Sequence, residues 1–142
     1  MTAIPQLLWI KREDALLYQK EALKAAGGLP GVRDMGLLEA ALNRPRQHFH
    51  YEPDVSFCFL AALYTQAVAK NHPFVDANKR AALMIGEGFL NGHGIFLKMS
   101  SRQSVLTEAV LALAQDGHLQ DYEKLLRKNV TVLDVAFLPI KL

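Results

Sequence analysis

The longest stretch without a charged residue runs from Val55 to Ala69, over fifteen residues. A membrane-spanning helix needs about 20 apolar residues, so we expect a buried helix and no membrane span. The N-terminus also lacks the pattern of a secretory signal, and we expect a cytoplasmic protein. The apolar residues of the stretch recur at the i, i+3, i+4, i+7, i+8 spacing of one helix face, at Leu60, Leu63, Tyr64, Ala67 and Val68.

Composition narrows the class of protein further. The chain has 142 residues, of which 51% are hydrophobic, and this argues against disorder. We expect residues 1–142 to form a single domain, with an apolar C-terminal tail at 130–142. The formal charge is only +2 and no local basic cluster is present, so direct contact with DNA is not expected. The single cysteine, Cys58, excludes an internal disulfide and is expected to lie inert in the core.

Helical patterns begin near the N-terminus. We expect a first helix from Arg12 to Ala26, stopped by Gly27-Gly28. A second, short helix is predicted to be capped by Asp34 and to end before Pro45.

Residues 44–53 contain two prolines and no helical period. They are predicted to form a loop or a short hairpin, after which Asp54 caps the central helix. Alternating side chains here could line one face of a strand as metal ligands, although Pro53 interrupts such a strand. We consider a loop that helps to seat a protein substrate the better interpretation. The alternating residues are His48, His50, Glu52 and Asp54.

The rest of the chain is predicted to be mostly helical as well, which makes the fold class all-α, a compact bundle around a central helix–loop–helix. After the central helix we expect a helix from Asp76 or Ala77 to about Leu90 and a short extended piece at Ile95–Leu97. Ser100 and Gln103 form a capping box that opens the next helix, and its apolar face carries Leu106, Ala109, Val110 and Leu113. A last short helix is marked by Leu119, Tyr122, Leu125 and Leu126.

A polar segment joins the central helix to the next one. Residues 71–80 read NHPFVDANKR, and Pro73 disfavours helical geometry in the residue before it, so one helix ends and another begins within a few residues. The first turn of a helix offers unpaired N–H groups and the positive end of the macrodipole, which suits a phosphate. Lys79 and Arg80 in that turn are unfavourable without a nearby anion. Together with Asn78 they indicate a phosphate site.

Two further residues complete a set for phosphoryl-type transfer. The imidazole of His72 can take a proton from an attacking hydroxyl near neutral pH. Asp76 supplies the lone carboxylate that typically holds Mg²⁺ beside phosphates, and Phe74 is expected to point inward and anchor the loop. Taken singly, these residues also have plain structural explanations: His72 could cap a helix, Asp76 could be an N-cap, and the cations could form a solvated face.

The segment resembles the signature of the Fic/Doc superfamily, H-P-F-x-[DE]-[GA]-N-[GK]-R, at every defined position. Residues 27–34 and 37–42 and Arg44-Pro45 are similar to the N-terminal half of death-on-curing (Doc) toxins, so the resemblance covers roughly residues 10–127. It implies a Fic/Doc-type helical bundle around the helix–loop–helix that carries HPFVDANKR. The matching positions are His72, Pro73, Phe74, Asp76, Ala77, Asn78, Lys79 and Arg80.

Two positions favour the Doc branch. Enzymes of the Fic branch, which transfer AMP, usually have glycine after the motif asparagine and a second arginine three residues after the first, where this chain has Lys79 and Leu83. The resemblance to Doc implies that ATP is a substrate with Mg²⁺, and that its γ-phosphate passes to a threonine of elongation factor Tu, which arrests translation. It also implies the roles: His72 as base, Asp76 as Mg²⁺ ligand, Pro73 and Phe74 as anchors, and Ala77, Asn78, Lys79 and Arg80 at the phosphates.

Three functions remain open from the residues alone. Their physical chemistry does not choose between attack on the γ- and on the α-phosphate, so an AMP transferase stays an alternative to the kinase. A catalytically inactive module that docks a partner is the third.

Regulation and assembly are also matters of resemblance. Some Fic proteins carry an inhibitory [ST]-x-x-x-E-[GN] helix, but here Ala109 follows the nearest match, Ser104 to Glu108, so no internal inhibitor is predicted. The resemblance implies a type II toxin–antitoxin system in which the disordered end of a Phd-type antitoxin folds into a groove on the toxin. The antitoxin would make the DNA contacts. We expect the tail at 130–142 to pack on the helices or to pair with another chain as a homo-oligomer.

Overall fold

A computed structural model describes residues 7–98, 105–133 and 142. The predicted all-α fold is confirmed, and the sheet in the described residues has only two strands, antiparallel, with Phe96 opposite Thr131. The elements, in chain order, are α1 (Arg12–Ala26), α2 (Met35–Tyr51), α3 (Phe57–Asn71), α4 (Asn78–Gly92), β1 (Ile95–Leu97), α5 (Val105–Gln115), α6 (Leu119–Lys128) and β2 (Val130–Val132).

The central helix is α3, as predicted. It packs against α2, α4, α5 and α6, and it is buried on nearly every side, which explains the absence of charge before Lys70. Among the described residues, no helix combines the length and the apolar character that crossing a bilayer requires. The largest fully buried side chains of α3 are Tyr64, Phe57 and Leu60.

Several predicted boundaries are confirmed. Helix α1 spans the predicted residues, and Asp34 caps α2 by accepting a hydrogen bond from the Leu37 N–H at 3.0 Å. Helix α4, strand β1 and helices α5 and α6 also lie where the patterns placed them. The capping box of Ser100 and Gln103 falls outside the described residues.

The prediction that the second helix ends before Pro45 was wrong. Helix α2 continues through Pro45 to Tyr51, so residues 44–53 are mostly helical and not a loop or hairpin. A proline inside a helix costs about 3 kcal/mol, because it lacks an N–H and its ring crowds the preceding turn. Tertiary packing offsets that cost: Pro45 is buried, and Phe49 one turn later packs edge-on against Trp9, with 5.6 Å between ring centroids.

The cap predicted for the central helix was also wrong. The N-cap of α3 is Ser56, whose Oγ accepts a hydrogen bond from the Phe59 N–H at 3.0 Å. Asp54 lies two residues before that cap, outside the geometry that reaches the first-turn amides. The Ser56 hydroxyl also donates to Glu123 of α6, so a partner from a distant element favours serine at this position.

The helical course of α2 removes the basis for a metal site at its end. Residues two apart on a helix point in different directions, so His48 and His50 diverge, whereas on a strand they would share a face. The Nε2 atom of His48 lies 3.5 Å from a carboxylate oxygen of Glu52, and its ring packs on Phe59. The described residues contain no group of three metal-ligating side chains.

The first part of the apolar tail is folded onto this chain. Val130–Val132 form β2 beside β1, and the main-chain oxygen of Leu142 accepts a hydrogen bond from the Cys58 N–H at 2.8 Å. Residues 134–141 lie outside the described residues, and pairing of the tail with another chain stays a prediction.

Cys58 lies in the core, as predicted. Burial raises the pKa of its thiol to about 12, so the thiol is protonated at neutral pH and unreactive.

Candidate functional site

The loop between α3 and α4 contains two residues in the left-handed backbone conformation. His72, which ends α3, has φ 53° and ψ 51°, and Ala77, which precedes α4, has φ 63° and ψ 31°. They are the only residues other than glycine with positive φ in the described chain. Each costs on the order of 1 kcal/mol relative to a right-handed conformation, so other contacts must hold the loop in place.

Arg33 supplies several of those contacts. The segments 31–33 and 73–75 pair in a short antiparallel bridge, in which the Arg33 N–H donates to the Pro73 oxygen at 2.7 Å. The Arg33 guanidinium donates from Nε to the main-chain oxygen of His72 at 2.8 Å and from Nη2 to that of Asn71 at 3.1 Å. A cation thus binds the last carbonyls of α3, where the helix dipole favours it, and stabilises the left-handed His72.

Asn78 holds the loop from inside. Its side chain is 4% exposed; its Oδ1 accepts a hydrogen bond from the Phe74 N–H at 2.9 Å, and its Nδ2 donates to the Phe74 oxygen at 3.0 Å. Phe74 points inward and is fully buried. The Nδ2 group of Asn78 also lies 3.2 Å from His72 Nδ1, so one amide connects the anchor of the loop to the predicted base.

The polar motif residues converge on one cavity of about 860 Å³. His72 lies at the C-terminus of α3, Asp76 in the loop, and Lys79 and Arg80 in the first turn of α4; Pro73 and Phe74 are buried in the loop. Helices α1 and α5 form further parts of the cavity wall. The other lining residues are Glu21, Ala25, Ala26, Val75, Ala77, Asn78, Leu83, Met84, Glu87, Thr107, Val110 and Leu111.

The cavity is suited to an anion where it meets α4. The first turn of that helix contains no acidic residue, and Ala77 offers no side-chain cap for its N–H groups. Lys79 and Arg80 are exposed there. Since the helix dipole is also positive at this end, a bound phosphate would neutralise three unfavourable positive contributions at once.

Asp76 fits a magnesium site of the kind in which substrate phosphates supply further ligands. Its Oδ2 accepts a hydrogen bond from the Leu29 N–H at 2.7 Å, which orients the carboxylate and leaves acceptor capacity on both oxygens. The described residues contain no group of three or more acidic, histidine or cysteine side chains that could hold a metal ion by themselves. Mg²⁺ is commonly held by one or two carboxylates together with phosphate oxygens and water, and the single carboxylate beside a phosphate site matches that chemistry.

Two residues that hold the motif loop were not predicted from the sequence: Gln19, whose Nε2 donates to the main-chain oxygen of Asp76 at 3.2 Å, and Arg33. The role of Gln19 could have been predicted from the sequence, because this residue shares the buried face of α1 with Ala15 and Ala22. A glutamine that is buried on an apolar helix face needs hydrogen-bond partners in the core. The role of Arg33 could not have been predicted, since its guanidinium partners lie 38 and 39 residues away.

Comparison with known proteins agrees with the motif and its setting. The model of the Fic/DOC family matches residues 9–90, which include α1 to α3, the loop at 71–80 and most of α4. The chain belongs to the Fic/DOC family. The match is shorter than the predicted range of 10–127, and α5 and α6 lie beyond it.

Two curated relatives place the chain in the Doc branch of the family. "Protein kinase doc" of Escherichia phage P1 is 35% identical over 86 residues, which cover 61% of this chain and 68% of the relative. "Toxin Doc" of Mycolicibacterium smegmatis (strain ATCC 700084 / mc(2)155) is 40% identical over 91 residues, which cover 63% of this chain and 67% of the relative. The predicted resemblance to Doc is therefore confirmed.

Proposed function

We propose that this chain is a Doc-type toxin that transfers the γ-phosphate of ATP to a threonine hydroxyl of a translation protein, with elongation factor Tu as the first candidate. The observation that carries the proposal is the convergence of His72, Asp76, Lys79 and Arg80 on one cavity at the N-terminus of α4. The relatives named as a kinase and as a toxin support it. Such an enzyme would act in the cytoplasm, where translation takes place.

The nucleotide phosphates would bind at the first turn of α4. Main-chain N–H groups of Ala77 to Arg80 and the side chains of Lys79 and Arg80 are the donors available there. Asn78 would contribute through its main chain, because its side-chain amide is already bonded to Phe74 and His72. Asp76 would hold Mg²⁺, which when bound neutralises charge on the phosphate oxygens.

His72 would remove the proton of the attacking hydroxyl. Asn78 donates to Phe74 with one Nδ2 hydrogen, so its second hydrogen points to His72 Nδ1, and a neutral ring that accepts there carries its own proton on Nε2. The ring must give up this 3.2 Å hydrogen bond before it can accept a proton, either at Nδ1 itself or, after its own proton has moved to Nδ1, at Nε2. Because His72 is exposed, that adjustment is inexpensive. The hydroxyl oxygen then bonds to the γ-phosphorus, ADP leaves, and the proton stays on the imidazole.

Control of the toxin would come from a separate antitoxin. The cavity continues between α1, α4 and α5, where its wall is largely apolar, and we infer that a disordered segment of a Phd-type antitoxin folds against it. The antitoxin, and not this chain, would contact DNA in a type II system. The apolar residues concerned are Ala25, Leu83, Met84, Val110 and Leu111.

Transfer from labelled ATP tests the reaction. The purified chain is incubated with elongation factor Tu and with ATP labelled at either the α- or the γ-phosphate. We expect label on the protein only from the γ position, and loss of at least about 100-fold in rate in His72→Ala, because removal of a general base typically costs 10²–10⁴-fold. His118→Ala removes an exposed histidine at the start of α6 that makes no side-chain cap hydrogen bond and does not line the cavity, and it is the matched control.

Each other result has a defined meaning. Label only from the α position would identify an AMP transferase, and no label from either would leave a docking module. Growth arrest on expression that persists in His72→Ala would overturn the catalytic proposal.

A further inference from the structure

Gln19 is a buried polar side chain that joins three segments of the fold. It is 2% exposed. Its Nε2 donates to the main-chain oxygen of Asp76 at 3.2 Å and to that of Leu29 at 3.4 Å, and its Oε1 accepts from the Gly31 N–H at 3.2 Å. Loss of these bonds would leave main-chain groups unpaired in a part-buried region. The amide therefore specifies how α1, the loop at 28–31 and the motif loop sit relative to one another.

The loop at 28–31 lies directly against the Asp76 side chain. The Leu29 N–H donates to Asp76 Oδ2 at 2.7 Å, a short distance typical of a charge-assisted bond. Gly28 has φ +112°, and a Cβ at this position would lie 2.8 Å from Asp76 Cβ and 3.0 Å from Oδ2. The carboxylate therefore has room only because the chain carries no side chain at residue 28.

We propose that Gln19 and the loop at 28–31 are positioning elements for Asp76. They set the orientation of the carboxylate that receives the metal–nucleotide complex, an inference that rests on the proposed function. Gln19 does not line the cavity; it acts through the main chain of Leu29, Gly31 and Asp76. Partners that orient a metal-ligating carboxylate typically contribute about 10- to 100-fold to metal affinity.

Adjacent glycines provide a matched pair of variants. Gly27 and Gly28 both have positive φ, so alanine is strained at either position, but a Cβ at Gly27 meets nothing within 4 Å. Affinity for the non-hydrolysable analogue AMP-PNP is measured by calorimetry, once with Mg²⁺ and once with EDTA. We expect Gly28→Ala to weaken binding with Mg²⁺ about 10-fold and to leave binding in EDTA within about twofold. Gly27→Ala should match the wild type in both conditions.

A second pair tests Gln19 itself. Gln19→Met retains the length of the side chain and removes all three hydrogen bonds, whereas Ala15→Gly loosens the same buried face of α1 without touching the motif. We expect Gln19→Met to lose Mg²⁺-dependent affinity about 10-fold. Ala15→Gly should retain the Mg²⁺-dependent affinity. If the two variants have equal melting temperatures, this difference in affinity does not come from a difference in stability.

The outcomes separate this proposal from the proposed reaction. If Mg²⁺ strengthens wild-type binding but Gly28→Ala equals Gly27→Ala, the positioning role is overturned. If Mg²⁺ has no effect on the binding of AMP-PNP to the wild type, both the positioning role and the role of Asp76 as a Mg²⁺ ligand are overturned. Failure of γ-phosphate transfer together with the expected binding differences would overturn the proposed reaction and support the positioning role.

Discussion

Within the motif, neighbouring residues do different work. Asn78 is buried and its amide is used up in holding Phe74 and His72, while Lys79, the next residue, is exposed at the cavity. Asn78 thus belongs to the framework of the loop, and Lys79 is available for a ligand. The signature pattern alone treats the two alike, because it records identity and spacing but not burial.

This difference predicts opposite effects of two substitutions. Asn78→Ala leaves the buried N–H and oxygen of Phe74 without their partners, and we expect a loss of about 2 kcal/mol in the free energy of unfolding. Lys79→Ala should change that free energy by less than about 0.5 kcal/mol while it lowers phosphate transfer. Urea unfolding of both variants is the measurement. Equal stability of the two would contradict the framework role of Asn78.

At the scale of elements, the site depends on how closely α4 approaches α3. Gly86 lies where the two helices meet: a Cβ there would come within 2.9 Å of the Ala61 main-chain oxygen and even closer to Thr65 Oγ1. The Thr65 hydroxyl donates to the main-chain oxygen of Ala82 at 2.9 Å, so it cannot move away without losing a buried hydrogen bond. The close contact fixes α4, and with it the helix N-terminus that lines the cavity.

Alanine at this glycine should therefore destabilise the protein, although alanine favours helices. We expect Gly86→Ala to lose about 1–3 kcal/mol through overpacking. Gly92, at the end of the same helix, meets only Leu8 Cδ1 at 4.0 Å, so Gly92→Ala should be neutral or stabilising by up to about 1 kcal/mol. Thermal unfolding distinguishes the two. A Gly86→Ala protein as stable as Gly92→Ala would show that the helices can separate freely.

At the scale of the whole molecule, His93 connects the segment before α1 to the C-terminal end of α4. The length of α4 places this residue about 20 Å from the motif. Its Nε2 accepts a hydrogen bond from the Leu8 N–H at 3.0 Å, and its Nδ1 lies 2.8 Å from the Phe89 oxygen. The ring packs beside Phe57 and Phe89. Only the neutral ring with its proton on Nδ1 can make both bonds. Burial lowers the pKa of His93, with the Phe89 carbonyl opposing it.

A lowered pKa makes stability depend on pH in a definite direction. The unfolded chain binds a proton at His93 more readily than the folded one does, so the contribution of His93 is complete above about pH 6.5 and is lost as the pH falls below it. The ring is only partly buried and is screened by solvent, so we expect a loss below about 1 kcal/mol. Urea unfolding at pH 7.5 and pH 5.5 should show a smaller loss in His93→Gln, which does not titrate. Equal losses would contradict this role.

Much of the fold was predictable from local pattern. The bounds of α1, the Asp34 cap, the buried α3 and the short β1 followed from periodicity and capping rules, because these features depend on residues within a few positions of one another. The motif at 71–80 was predictable for the same reason. Where tertiary packing competes with local preference, the prediction failed: Pro45 is buried inside α2, and Ser56, the cap of α3, has a hydrogen-bond partner in α6.

The sequence by itself determined the Fic/DOC motif, its place between two helices and the all-α class. Only the tertiary structure decided that Gln19 and Arg33 hold the motif loop, that Asn78 is buried, and that the loop at 28–31 fixes Asp76. The reason is physical. Hydrogen bonds such as Gln19 to Asp76 and Arg33 to His72 join residues 57 and 39 positions apart, and a local pattern carries no information on which distant groups the folded core brings together.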